Sequence, residues 1–391
     1  MEGFHKEELL TAFQHRLEMA LKSRRPFDLE DPGCLFEIAT LKYKQNYSER
    51  EIAAYFGFEQ DNRTQIRKAL ARAEELGIVI KPPVAIIRPG GAALDNRHLE
   101  THLTAKFNLK HVEVIEGYSD AYLGQDRHLQ NIVLDRISQS AAIYFNSLME
   151  GPSCPKVVCI NWGYVMRLFV SHVLDLQPAQ RFSSSQVHKQ QRYILPMVGI
   201  MGTGNRIQVA EREAYQLALE LARKYDAIPR HLPSPAIIRD PNQARVVEQL
   251  EPVKSSLELL SRSDVAITGI GFVDDNQKRY SEMTIVKQQL LTADEVMMMR
   301  SRGAVGEIAN WFFDGTGNEP QSSHHGNGAL KPIGLGLDGL HKIASRGGTV
   351  IVICGSDKRR LPALKACLTK KEKMITALFT DHLTAEELLE E

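Results

Sequence analysis

From Asp95 onward the chain repeats one pattern: a short run rich in Val and Ile, then Gly, Asn or Asp, then a stretch with helical character. The runs are "KHVEVIEG", "PKVVCI", "RYILPMVGI", "SDVAITGIG", "GGTVIVICG" and "KMITALFTD". Segments such as "AEREAYQLALELARKY" and "GAVGEIANWFFDG" lie between them and read as helices. Alternation of this kind predicts a parallel sheet covered on both faces by helices. Ligands of such sheets bind in the crevice beyond the carboxyl ends of the strands. The glycines at those ends are therefore the first places to look for a site.

Residues 1–83 behave differently. They read as helix after helix with no strand pattern, and "IKPPVAIIRPGG" marks a boundary through its paired prolines and glycines. The expected architecture is an all-α domain over 1–83, followed by an α/β domain over 84–391. Within the first, Ser48 and Glu51 have the spacing of a capping box, and Tyr47 can pack on Ile52 as a hydrophobic staple. That short helix buries Ile52 and Phe56 and stops at Gly57. A second cap follows at Asn62, with Gln65 three residues on.

In the helix after Asn62, Ile66, Ala69, Leu70 and Ala73 share one side. Thr64, Arg67, Lys68 and Arg72 lie broadly opposite, with Arg63 on the first turn. A capped helix, a tight turn and a second helix with basic and amide side chains at its start is helix-turn-helix anatomy. Arg, Lys, Asn and Gln are also the side chains that pair with base edges and phosphates. The preceding helix "CLFEIATLKYKQN" supplies Leu35, Ile38 and Leu41 to a trihelical core. A solvated amphipathic helix would show the same two sides, so the pattern alone leaves both readings open.

Composition narrows the classes. The 391 residues carry equal numbers of acidic and basic side chains, so nucleic-acid binding has to rest on local rather than bulk charge. No window reaches the eighteen or so unbroken apolar residues of a membrane helix. The N-terminus carries acids and histidines through its apolar positions, unlike a signal peptide. Cys34, Cys154, Cys159, Cys354 and Cys367 are odd in number and match no zinc spacing, which fits a reducing cytoplasm. No paired-carboxylate or Ser-His-Asp pattern stands out. Neither a cofactor, a metal nor a catalytic residue is expected.

The stretch "YSEREIAAYFGFEQDNRTQIRKALARAEELGIV" resembles the DNA-binding segment of the SorC family of sugar-responsive bacterial transcriptional regulators. The resemblance continues in the family's order through "VVCINWG", "LPMVGIMGTGN", "YDAIPRHLPSPAII", "SDVAITGIG", "GAVGEIANWFFDGTG", "VICGSDKRRLPALKACL" and "ALFTDHLTAEELL". It covers nearly the whole chain beyond the first 30 residues. It implies an effector domain with the sugar-isomerase-like, Rossmann-type fold of ribose phosphate isomerase and glucosamine-phosphate deaminase. It also implies a sugar or sugar-phosphate effector, operator double-stranded DNA as partner, and assembly as dimers or tetramers.

On this reading the DNA-binding candidates are Ser48, Asn62, Arg63, Thr64, Gln65, Arg67, Lys68 and Arg72. The effector candidates are Asn161, Trp162, Gly163 and Tyr164 in the first loop, and Gly199, Gly202, Thr203 and Asn205 in the second. Gly269 and Gly271 follow a third strand, and Asp314 and Lys358 complete the set. Glycine lets backbone N–H groups approach an anion closely. The Lys358 ammonium can neutralise a phosphate and stands at the family's effector-contacting lysine. Asp314 stands at its conventional acidic position. Trp162 and Tyr164 suit stacking on a sugar ring.

Each candidate has a plainer reading. Glycines after strands make ordinary tight turns, Lys358 with Arg359 and Arg360 can be a solvated run, and Asp314 can simply end a helix. Where the family commonly places a hydroxyl after the first-loop glycine, this chain has Tyr164, Val165 and Met166, which puts a phosphate at this loop in question. A sugar-phosphate isomerase or deaminase with an added helical module is the competing expectation. A protein-docking role for the N-terminal helices is a third. Leu9, Leu10, Phe13, Leu17 and Leu21 suggest a helix that packs on a partner subunit.

Overall fold

The computed structural model describes residues 28–29, 32–39, 41–42, 49–58, 63–75, 96–151, 153–176, 191–200, 213–274, 276, 280, 283–320 and 330–390. The expectations placed on Leu9 to Leu21, Tyr47, Ser48, Asn62, Gly202, Thr203 and Asn205 lie outside the described residues. The chain divides into two compact units, Met1–Ala92 and Ala93–Glu391.

Among the described residues the first unit contains three helices, α1 (Pro32–Ala39), α2 (Glu49–Tyr55) and α3 (Arg63–Glu75). Their apolar residues recur every three or four positions and meet in one core. Leu35 and Ile38 of α1, Ile52 and Ala53 of α2, and Ile66, Ala69, Leu70 and Ala73 of α3 are buried together with Leu41 and Phe56. Two side-chain contacts fix the helices further. The Tyr55 hydroxyl donates to Glu37 Oε1 at 2.6 Å, and Arg67 Nε donates to Glu49 Oε2 at 2.8 Å. Thr64, Arg67 and Lys68 are exposed on the opposite side of α3.

In the second unit the strands in chain order are β1 (His111–Ile115), β2 (Val157–Ile160), β3 (Tyr193–Pro196), β4 (Ile228–Pro229), β5 (Ile237–Ile238), β6 (Val265–Gly269), β7 (Gly271–Phe272), β8 (Ala304–Ile308), β9 (Trp311–Asp314), β10 (Lys331–Pro332), β11 (Thr349–Ile353) and β12 (Ala377–Asp381). Seven of them form one sheet in the order β1-β12-β11-β6-β2-β3-β4, and every neighbouring pair in it is parallel. All six β-branched runs of the sequence are strands of this sheet.

Successive side chains of a strand point to opposite faces, and here each face has its own core. Val157, Cys159, Ala266, Val350, Val352 and Leu378 enter one; Val158, Ile160, Ile267, Ile351, Ile353 and Phe379 enter the other. The second core is closed by α5 (Arg127–Glu150), α6 (Tyr164–Asp175) and α7 (Ala214–Lys224) through Ile137, Phe145, Phe169, Val173, Leu217 and Leu221. Opposite them, α4 (Arg97–Phe107) and the helices Glu251–Leu260, Leu337–Ser345 and Leu361–Thr369 contribute Leu103, Leu260, Leu340 and Leu364. Among the described residues no helix is long and apolar enough to cross a membrane. Cys34, Cys154, Cys159, Cys354 and Cys367 are all free thiols.

The segment "GAVGEIANWFFDG", expected to be a helix, is instead an antiparallel hairpin of β8 and β9, with β7 pairing on β8. Its apolar residues fit either period when read alone. The deciding feature is the connection: Ala309 and Asn310 both have positive φ, 53° and 72°. Two such residues in succession make the tight turn whose twist matches that of flanking strands. Burial along β8 alternates accordingly, with Ala304, Gly306 and Ile308 inside and Val305 and Glu307 partly exposed.

Phe145 links three helices. It is fully buried and meets the rings of Phe169 and Tyr225 edge-on, at 5.4 and 5.7 Å. Phe145→Ala is expected to destabilise this unit by about 3–5 kcal/mol. Chemical denaturation followed by circular dichroism checks this; a loss below about 1 kcal/mol would mean that the core closes over the gap.

Candidate functional site

The chain leaves β2 toward β3 on one side of the sheet, whereas β6 leads on, through the hairpin, to β11 on the other. The carboxyl ends of β2 and β6 are neighbours, so a crevice opens between their diverging connections. Trp162 follows β2, Gly271 and Phe272 follow β6, and Asp357, Arg359 and Arg360 follow β11. All line a pocket of about 260 Å³ at this place. Arg127, Asp274, Lys287 and Glu307 are also in its wall.

The first loop is held from within. The side chain of Asn161 is buried, donating from Nδ2 to Thr268 Oγ1 at 2.9 Å and accepting the Trp162 N–H at 2.8 Å. Asn161 therefore sets the turn that carries Trp162. The indole Nε1 of Trp162 donates to Asn310 Oδ1 at 3.1 Å, which fixes the plane of the ring. Gly163 has a φ of 113°, a region that side chains disfavour, and α6 starts at Tyr164 immediately after it.

The cations of the pocket are arranged by carboxylates. Asp357 accepts from the Arg359 backbone N–H at 3.1 Å and from its guanidinium at 2.6 Å, while Asp274 accepts from the same guanidinium at 3.3 Å. Asp357 chiefly, with Asp274 behind it, strengthens the hold of Arg359 on its proton. Arg360 donates to the carbonyl of Ile270 at 2.8 Å. Both guanidinium groups lie over the ring of Phe272, 5.0 and 5.6 Å from its centroid.

Glu307 reaches in from β8. Its Oε2 accepts the backbone N–H of Asn310 at 2.9 Å. A Cβ on Gly271 would stand 2.2 Å from its Oε1, so the carboxyl group keeps its present place only with glycine at 271. Burial raises the Glu307 carboxyl above the ordinary carboxylate range, against the opposing pull of the Asn310 N–H and the Arg360 charge.

The other candidates are distributed as follows. Gly269 ends β6 just before the pocket, and a side chain there would make only ordinary contact with Ile353. Gly199 stands beyond β3, where a Cβ would collide with the Ser234 carbonyl at 2.3 Å, so close backbone packing is reason enough for glycine. The carboxylate of Asp314 is taken up by its own turn: it accepts the Thr316 hydroxyl at 2.6 Å and the Thr316 N–H at 2.8 Å. The ammonium of Lys358 pairs with Glu387 at 2.9 Å. Neither Asp314 nor Lys358 lines the pocket; Arg359, Arg360, Glu307, Phe272 and Asp357, which the sequence reading did not select, do. A charge run directly after a strand was the available pointer to the two arginines.

The raised carboxyl of Glu307 has a definite sign. Folding favours its protonated form, so its stabilisation is complete below the unfolded value of 4.5 and is lost as pH rises through the higher folded value. Glu307→Gln is therefore expected to be more stable relative to wild type at pH 8 than at pH 4.5. Thermal unfolding across that range checks it; parallel profiles for the two proteins would refute it.

Comparison with known proteins places the chain. The family model described as "Putative sugar-binding domain" matches residues 92–390. The deoxyribonucleoside regulator of Bacillus subtilis (strain 168) is 24% identical over 362 residues, which is 93% of this chain and 99% of that protein. The transcriptional regulator LsrR of Escherichia coli (strain K12) is 26% identical over 352 residues, covering 90% of this chain and 93% of its own. The full-length sorbitol operon regulator SorC of Klebsiella pneumoniae superposes with a TM-score of 0.58 at 22% identity, covering 92% of this chain and 99% of its own. A DeoR family regulator from Listeria monocytogenes gives 0.57 at 20% identity over 75% of this chain and 99% of its own. At these identities the structural likeness speaks for the fold, a mixed α/β domain around a parallel sheet. The sequence relatives are regulators rather than enzymes, and with the domain match they settle the assignment: the chain belongs to the SorC family of transcriptional regulators and carries the family's sugar-binding domain over residues 92–390.

Proposed function

We propose that residues 1–83 bind operator DNA as a helix-turn-helix domain and that residues 84–391 bind a sugar or sugar-phosphate effector and oligomerise, in the cytoplasm. The observation that carries this reading is the pocket at the diverging ends of β2 and β6. It combines an immobilised indole, paired cations and carboxylates in one crevice, which are the groups that recognise a polyhydroxylated ligand. Trp162, Gly271, Glu307, Arg359 and Arg360 form its core contacts. Asn161 and Gly163 shape it, Tyr164 and Gly269 border it in sequence, and Gly199 joins the set on the family resemblance alone. Gly202, Thr203 and Asn205 are assigned to the effector on the family resemblance. Asp314 and Lys358 contact the effector only by leaving their present partners, Thr316 and Glu387. The fold class of the domain is that of the sugar isomerases, used here for sensing rather than turnover.

The packing of α1 to α3 supports α3 as the recognition helix. Its apolar stripe is committed to the core, and Thr64, Arg67 and Lys68 stand opposite. Gln65 and Arg72 are half-buried beside them, and Ser48, Asn62 and Arg63 join the DNA-binding set on the sequence pattern and the family resemblance. Arg67 approaches α2 through Glu49, so this exposed pair holds the guanidinium near the turn. A homo-oligomer presents two such helices. Effector binding changes their spacing to the extent that its affinity differs between the two subunit arrangements.

The test is selection of bound fragments from random duplex DNA by the full-length protein. A two-fold symmetric motif is expected. Arg67→Ala is expected to weaken binding to it by about 5- to 150-fold, equivalent to roughly 1–3 kcal/mol. Folding should be little affected, because an exposed ion pair contributes at most about 1 kcal/mol. Affinity should also fall steeply with salt. Absence of any enriched sequence at low salt, with and without sugar phosphates, would overturn the reading.

A further inference from the structure

Behind the arginines of the pocket stands a carboxylate that does not line it. Asp381 ends β12 and is fully buried. Its oxygens are held by N–H and O–H donors. Oδ1 accepts the Thr384 N–H at 3.1 Å, and Oδ2 accepts the Thr384 hydroxyl at 2.8 Å. Those bonds cap the helix His382–Leu389. A further bond has no part in the cap: Oδ2 also accepts the Ser356 N–H at 2.6 Å. It joins β12 to the turn that follows β11.

That turn is built around the carboxylate. Ser356 has a φ of 62°, a left-handed backbone that an ordinary residue adopts only when its surroundings hold it there. A Cβ on the preceding Gly355 would stand 2.4 Å from Asp381 Oδ2, so the chain passes directly over the acid. The residue after Ser356 is Asp357, which accepts from Arg359 Nε at 2.9 Å and from its terminal guanidinium nitrogen at 2.6 Å. The Asp357 carbonyl also accepts the Arg360 N–H at 3.0 Å.

We infer that Asp381 is a positioning residue for the effector site. Its bond to the Ser356 N–H holds the left-handed turn that delivers Asp357, and through it the Arg359 guanidinium, to the pocket. The role in binding rests on the pocket taking the effector; the placing of Arg359 does not. Asparagine cannot replace the acid, because its amide nitrogen would face one of the donors that the carboxylate now accepts.

The first readout needs no ligand. The Nε–H resonance of Arg359 in ¹⁵N-labelled full-length protein, assigned with Arg359→Lys, reports the contact with Asp357. The second is the dissociation constant of ribose 5-phosphate, used as probe. Circular dichroism shows that each variant compared is folded. Asp381→Asn is expected to move the Arg359 resonance and to weaken the probe about tenfold or more. Thr384→Val removes a bond on the helix side only and should leave both readouts near wild type. Ser356→Gly in the Asp381→Asn background should restore the resonance and most of the affinity, since glycine enters the left-handed region without being held. Gly355→Ala drives a methyl group against Oδ2 and should reproduce both effects, so it decides the matter should Asp381→Asn not fold. An unmoved Arg359 resonance in these variants would overturn the inference. So would equal effects of Thr384→Val and Asp381→Asn, or no repair by Ser356→Gly, either of which would confine Asp381 to the helix cap. Failure of the wild type to bind the probe would count against the reading of the pocket, while the resonance still decides the role of Asp381.

Discussion

Consecutive residues of β2, β6, β11 and β12 enter opposite cores, so the length of each strand is consumed by packing. This follows from a parallel sheet whose crossovers lay helices on both faces. A side chain in mid-strand has no access to solvent, and polar chemistry can begin only where the strand ends. The sheet order then selects one place among those ends. Between β2 and β6 the connections part, and a crevice opens there. The position of the pocket is thus a consequence of topology before any polar residue is considered.

What the pocket does with that position depends on pairing. Arg359 is held between Asp357 and Asp274, Glu307 is held by the Asn310 N–H and lies against Gly271, and Trp162 is held by Asn310. These groups already have their orientation fixed by a neighbour. Such preorganisation lowers the entropy lost on binding.

The parts of this architecture that were legible in the sequence are those governed by short-range pattern. The six β-branched runs announced six strands of the sheet and their parallel sense. Leu35, Ile38, Ile52, Phe56, Ile66 and Leu70 announced the core of the first unit, and Trp162 and Gly271 announced the pocket. The strand Ile228–Pro229 passed unseen, because two residues carry no periodicity. The β8–β9 hairpin passed as a helix because its turn lacks glycine: an Ala-Asn pair in the left-handed region is not what residue preference leads one to expect. Glu307 was lost with it. Its role depends on Gly271, which is brought alongside by strand pairing and not by sequence proximity. Arg359 and Arg360 were hidden in a basic triplet, and only the turn after β11 sends Lys358 toward Glu387 and the other two toward Phe272.

The conformation of Ala309 limits how the hairpin can change. A left-handed backbone costs an ordinary residue roughly 1–2 kcal/mol. Ala309 bears that strain while its methyl group is wholly buried. Glycine would relieve the strain but lose the contact and gain disorder in the unfolded chain. A β-branched residue would suffer both the backbone and the space. Position 309 is therefore confined to very small side chains and 310 to those that tolerate the same backbone while offering an acceptor to an indole.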